Sequence, residues 1–381
     1  MKITCSHLPQ NWEGPSGVHS AVAADDQAQL VLVFGTVGML QRPELAQYLR
    51  SCYPQAQIAY ASTAGEIFCD EVLEHSVVIN ALRFDQTQVE AKAVNVADFP
   101  DSYSAGKHLR SQFADEGLQL LFVLSDGTLV NGSDLVKGLN EGSDADVLIT
   151  GGLAGDDAQF KQTLTGLNEA IVPGMIVAIG LYGQRLQIGH GSMGGWDEFG
   201  PLRCITRSHK NELFEVDGKN ALDLYKAYLG AFSKELPKSA LLFPLSLQEN
   251  GSQHKLVRTI LQIDEEKKSM LFAGNMPEGS HVRLMKANFD RLIEAADAAA
   301  ASTLGQAEHP PVFAVLVSCV GRRLILQERV YEEVKAARRR LGQSCVISGF
   351  YSYGEISPFH SLNDGCELHN QTMTITTLAE V

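Results

Sequence analysis

This 381-residue chain is poor in positive charge: 31 Lys and Arg stand against 45 Asp and Glu, a formal charge of −14. Phosphate backbones are held by cationic faces, so the balance excludes nucleic acid as the main partner. Long apolar runs are also missing. None approaches the ~18 residues of a membrane span, and the opening MKITCSHLPQNWEG lacks the apolar stretch of a signal peptide. The seven cysteines (Cys5, Cys52, Cys69, Cys204, Cys319, Cys345 and Cys366) include no C-x-x-C pair, which excludes zinc-ribbon, thioredoxin-like and c-type haem attachment signatures. A cytoplasmic protein with reduced thiols and no membrane partner is expected.

Catalytic signatures are equally scarce. No H-E-x-x-H, G-x-S-x-G or EF-hand loop occurs, and no enzyme is expected. Gly189–Gly194 matches G-x-G-x-x-G, but GWDEFGP follows where a dinucleotide fingerprint needs a helix. Ala105-Gly106-Lys107-His108 echoes a P-loop without its first glycine or its Ser/Thr. Cys319 is a conceivable nucleophile beside Arg322, although its apolar flanks Val317 and Val320 favour simple packing.

What is present is ordinary globular composition, 45% hydrophobic and 20% charged, with a length that suggests two domains. One layout is written three times. LVLVFG (30–35), PELAQYLRS (43–51) and QIAYAST end at Ala64-Gly65-Glu66. LLFVLSDG (120–127), SDLVKGLNEG (133–142) and DVLITGG end at Ala154-Gly155-Asp156. VFAVLVSCVG (312–321), ERVYEEVKAARRRLG (328–342) and CVISGFYS end at Tyr353-Gly354-Glu355. Each reads strand–loop–helix–strand, closed by glycine and an acid, and each is followed by one more apolar segment. The spacing predicts an α/β fold of repeated units in predominantly parallel or mixed sheets. Ser133 is expected to cap its helix, and Gly142 and Gly342 to end theirs. A different block lies between the second and third units. It includes a helix over 217–230, a hairpin around EEKK, and a long helix HVRLMKANFDRLIEAADAAAAST whose core face runs through Met285, Phe289, Leu292 and Ala296. The domain division is expected at 1–28 (extension), 29–216 and 217–381.

Open α/β sheets bind ligands outside the carboxyl ends of their strands. In the third unit those ends carry Arg322, Tyr351, Tyr353 and Glu355, with His369, Asn370 and Thr372 on the following strand. Such a set of charges, rings and hydrogen-bonding groups suits the charged ends of a small polar molecule. The competing reading is that these groups only satisfy one another.

The segments GFYSYGEISPF, CELHNQTMTIT, ITGGLAGDD, FPLSL, LVRTILQID and MPEGSHVRLM, in their order along residues 29–376, resemble the FIST N- and C-terminal domains. The resemblance implies a bacterial intracellular signal-transduction sensor that binds a small ligand such as an amino acid. It is similar to stand-alone FIST proteins regarded as haem-binding nitric-oxide sensors acting on a partner histidine kinase, and so on two-component and biofilm control. Haem would need an axial ligand. Of the eleven histidines, His369 has the best context as the metal ligand, ahead of His190 and His360. Resemblance favours haem, whereas the polar surroundings of His369 suit an amino acid. Both readings stay open here, as does a homo-oligomer.

Overall fold

The computed structural model describes residues 1–14, 22–141, 147–236, 238–252, 254–306, 309–358 and 365–381. His360 and Gly142 lie outside the described residues.

The chain begins with β1 (Lys2–Leu8) and then builds the first unit: β2 (Leu30–Gly35), α1 (Val37–Leu40), α2 (Pro43–Cys52), β3 (Gln57–Ser62), the hairpin β4 (Glu66–Phe68) and β5 (Glu71–Leu73), and β6 (Val77–Arg83). After β7 (Gln88–Asn95) and α3 (Ser102–Arg110), the second unit repeats the order: β8 (Leu118–Ser125), α4 (Gly132–Asn140), β9 (Leu148–Leu153), the hairpin β10 (Thr165–Leu167) and β11 (Ala170–Val172), and β12 (Met175–Tyr182). Next come β13 (Leu186–Met193) and the block: β14 (Asp197–His209), β15 (Glu212–Val216), β16 (Lys219–Asn220), α5 (Ala221–Leu229), β17 (Leu245–Gln248), β18 (Leu256–Arg258), β19 (Ile260–Asp264), β20 (Ser269–Phe272), β21 (His281–Lys286) and α6 (Phe289–Leu304). The third unit closes the chain: β22 (Phe313–Cys319), α7 (Val320–Leu326), α8 (Val330–Leu341), β23 (Val346–Ser352), the hairpin β24 (Gly354–Pro358) and β25 (Cys366–His369), and β26 (Met373–Glu380).

The three units form three mixed six-stranded sheets of one design. In each, the first two strands of a unit pair in parallel (β2–β3, β8–β9, β22–β23), as the strand–helix–strand layout requires. The unit's last strand lies antiparallel on the other side of the first. The preceding strand, β1, β7 or β13, pairs outside that one. The closing hairpins do not stay at home. Hairpin β10–β11 completes the sheet of unit one, β24–β25 that of unit two, and β4–β5 that of unit three. Backbone bonds close the same cycle at the strand ends: Ala64 N to Tyr351 O (2.8 Å), Gly155 N to Ser62 O (2.8 Å) and Tyr353 N to Leu153 O (3.0 Å).

Strand alternation explains why the apolar runs are continuous. Leu30, Leu32 and Phe34, Leu120, Phe122 and Leu124, and Phe313, Val315 and Val317 meet in one central core shared by all three sheets. The intervening Val31 and Val33, Leu121 and Val123, and Ala314 and Leu316 face the opposite way into the outer clusters that hold the helices. Strands buried on both faces need no polar alternation.

Several local expectations shift. His281–Lys286 is strand, and α6 begins only at Phe289, capped by the Asn288 side chain. Phe289 is exposed, and the buried face of α6 runs through Leu292, Ala296 and Ala299. Asn131, not Ser133, caps α4 by accepting from Asp134 N. Gly342 does follow α8 at φ +83°. β14 and β15 pair into the block's own eight-stranded sheet, so this sheet reaches back across the expected boundary at residue 216. The two glycine motifs are packing devices. A Cβ on Gly189 or Gly191 would come within 2.4 or 2.0 Å of the Thr303 and Ala299 carbonyl oxygens of α6, and Gly106 of α3 abuts the Leu135 carbonyl of α4.

Gly191→Ala must push α6 away from β13. We expect a loss of about 1–3 kcal/mol in denaturant unfolding, with an unchanged secondary-structure spectrum.

Candidate functional site

The acid that closes each unit is buried. Glu66 accepts from the Thr63 hydroxyl and from Ser76 N and Oγ (3.2 and 2.8 Å). Glu355 repeats this pattern, accepting from Ser352 Oγ (2.6 Å) and from Thr372 N and Oγ1 (3.2 and 2.9 Å). Burial outweighs these bonds and raises Glu66 to about 7 and Glu355 to about 8. Asp156 is used differently. It accepts from the amides of Phe160, Lys161 and Gln162 (2.8, 2.7 and 2.9 Å) and from the Tyr353 hydroxyl.

Arg322, one of the residues expected to hold a ligand's charged end, lies wholly inside the protein on α7. Its Nε and Nη2 donate to Glu333 Oε2 of α8 (3.0 and 2.9 Å). Nη1 donates to Gly194 O (2.6 Å) and Nη2 to Leu292 O (2.7 Å). The other Glu333 oxygen accepts from Tyr351 Oη (2.8 Å) and Ser318 Oγ (3.1 Å). Arg322 and Tyr351 are therefore brought together around Glu333, and the guanidinium is already committed. His369 Nε2 is 3.0 Å from Ser357 O, and Asn370 Nδ2 donates to His369 O (2.9 Å). Thr372 serves Glu355. Burial pushes the Cys319 thiol far up, with Glu355 adding to the effect, so this cysteine is a packed thiol and not an activated one.

Tyr353 lines a cavity of about 310 Å³, within the range of small-molecule sites. One wall is the loop after β8, from Gly127 to the α4 start at Gly132; the other is the β19–β20 hairpin with Leu271, Phe272, Ala273 and Gly274. Leu153 and Leu368 also contribute. Phe160 stacks on Tyr353 with ring centroids 4.4 Å apart and planes at 18°. The apolar pit between α5 and β14–β21, about 30 Å³, is too small for more than a water-sized guest.

Residues 29–219 match the FIST N domain family and residues 221–358 the FIST C domain family. The chain belongs to the FIST family. FIST domains are sensory modules of signal transduction that bind small ligands. No curated protein matches the chain. Among solved structures it is similar to a cyanuric acid hydrolase from A. caulinodans at 11% identity and a TM-score of 0.34, covering 99% of this chain and 98% of that one. So weak a likeness carries no argument.

The cavity sits where the two FIST domains meet. Gly127–Gly132, Leu153, Phe160 and Asn211 come from the FIST N stretch, and the β19–β20 hairpin and Tyr353 from the FIST C stretch. Sequence reasoning did not single out Glu333, Phe160 or Asn131, and it found the β19–β20 hairpin as an element without placing it at the site. Asn131 was findable, because N-G-S-D ahead of an apolar periodicity is a helix start. Among the described residues, no imidazole or thiolate lines this cavity to serve as a haem ligand, and the Tyr353 hydroxyl is bonded to Asp156. His369 is held by Ser357 and does not line it; neither does His190, which burial keeps neutral with a pKa lowered to about 4. Among the described residues, no group of three His, Cys, Asp or Glu is placed to hold a metal ion, and no helix is long and apolar enough to cross a membrane.

Two measurements check the buried groups. The folded pKa of Glu355 lies above the ordinary value of 4.5, so the native state holds the extra proton and stability falls as pH rises from about 4.5 to about 8. This one group gives a slope of up to about 1.4 kcal/mol per pH unit. Glu355→Gln should reduce the slope measured by urea unfolding across that window, leaving below about pH 7 the part that Glu66 contributes. Arg322→Ala strands Glu333, and should cost about 3–5 kcal/mol in the same assay.

Proposed function

We propose that the protein is a cytoplasmic signal-transduction sensor that binds a small organic ligand in the cavity between its two FIST domains and passes the signal to a partner histidine kinase. The cavity is the observation that carries the reading. A ligand there touches both domains at once, so its affinity depends on how they are set against each other, and occupancy biases that setting. The kinase as recipient is supported by the family resemblance. The resemblance also suggests haem and nitric oxide, but the commitment of His369 to the Ser357 carbonyl speaks against a haem ligand there. The commitment of Arg322 to Glu333 likewise removes the carboxylate clamp that an amino acid would have used.

Ala273 lines the cavity from the hairpin, and Ala273→Phe fills it. Mass spectrometry of small molecules released on heating should find a compound retained by the wild-type protein and absent from the variant. A compound retained equally by both would place the ligand elsewhere. Haemin titration should give a Soret band that does not saturate at one equivalent and is unchanged in His369→Ala; stoichiometric binding lost in that variant would restore the haem reading.

A further inference from the structure

Among the described residues lining the seam cavity no side chain is Asp, Glu, His, Lys or Arg, and burial holds the Tyr353 phenol protonated. The cavity's polar groups are Thr128, Asn131, Asn211 and the Tyr353 phenol. The two nearby carboxylates are saturated. Asp126 accepts from Thr128 N, Leu129 N and Gly174 N (2.7, 2.7 and 3.0 Å), and Asp156 from three amides and Tyr353. Arg258, fully buried behind Gly274, gives its guanidinium to the Asn275, Val257 and Leu368 carbonyls. None of these charged groups is among the described residues that line the cavity, so an ion there loses its hydration without a charged side chain in direct contact.

The mouth adds an independent observation. Leu129 (61% exposed), Phe160 (43%) and Leu261 (39%) are among the large apolar side chains left open to solvent, and all three line this cavity. Exposed apolar residues scattered singly need no explanation, but three gathered at one opening do. Phe160 is held there by backbone at φ +53° and by the Asp156 turn beneath it, with its ring stacked on Tyr353. Ring edges and leucines offer a ligand contact area, while Asn211 Oδ1 accepts no bond from any described residue and is available to a ligand N–H or O–H.

We propose that the seam cavity selects an uncharged molecule with an aromatic or alicyclic ring and one or two hydrogen-bonding groups, such as an amide, lactam or phenol, and rejects zwitterionic amino acids and carboxylates. The proposal rests on the reading of this cavity as the ligand site. It is tested on the full chain by thermal shift and calorimetry with matched probes: benzamide against benzoate and benzylamine, a lactam against its ring-opened amino acid, and phenylalanine amide acetylated at its amine against free phenylalanine. Uncharged members should bind at least about tenfold more tightly than their charged partners, the factor that ~1.4 kcal/mol of uncompensated desolvation gives. That binding should vanish in Ala273→Phe. Leu261→Arg, on the exposed rim, should reverse the preference toward benzoate. Equal or tighter binding of the charged members, lost in Ala273→Phe, overturns the selectivity while leaving the site in place. Binding of no probe, or binding that Ala273→Phe does not change, overturns the site itself.

Discussion

The exchange of hairpins among the three units is the constraint on which the rest of the structure depends. Each unit makes a parallel pair that needs strands on both sides, and each obtains its outer strands from a neighbour's hairpin. A unit alone would expose the row of unpaired amides and carbonyls that a sheet edge presents. Because the donation runs in a cycle, no unit can be removed without opening the sheet of another. The shared central core follows from the same arrangement. Three sheets tied at their strand ends turn one face inward, where Phe34 and Phe350 of different units meet with ring centroids 4.8 Å apart.

Closing the cycle forces polar groups into the interior, and the closing acids are how the chain meets that demand. Glu66 and Glu355 each take hydroxyl and amide donors from the residues where the next strand begins, which fixes the turn between hairpin and strand. Asp156 instead organises the loop carrying Phe160. One sequence feature, a glycine followed by an acid, thus supports the frame at two positions and shapes the cavity beside Tyr353 at the third. Buried carboxylates of this kind are tolerable when hydrogen-bonded and held protonated near neutrality.

The three units were legible in the sequence because their signal is local: Val- and Leu-rich strands of even length, helices with an apolar stripe, and glycine at fixed places. The hairpin exchange was not, since nothing within Glu66–Leu73 records that its partner is β23, some 280 residues later. The candidate site shows the same limit. Arg322, Tyr351, Glu355 and His369 have the composition of residues that hold a ligand, yet each is hydrogen-bonded within the protein, to Glu333, to Ser352 and Thr372, or to Ser357. Glu333 is four residues from Ala337 and so lies on the buried side of α8, but nothing local to that helix names Arg322 as its partner. Tyr353 lines the cavity, and the loops that face it come from segments far apart in the chain.

Arg322 has one further consequence. Its guanidinium grips Gly194, where the chain leaves the third sheet for the block, and Leu292, where the chain comes back. Both crossings are thereby riveted to α7 at one point. With Arg258 of β18 also bonded to the Leu368 carbonyl of β25, the block is stitched to the third unit at its exit, its return and its edge, as a patch is sewn down at three corners.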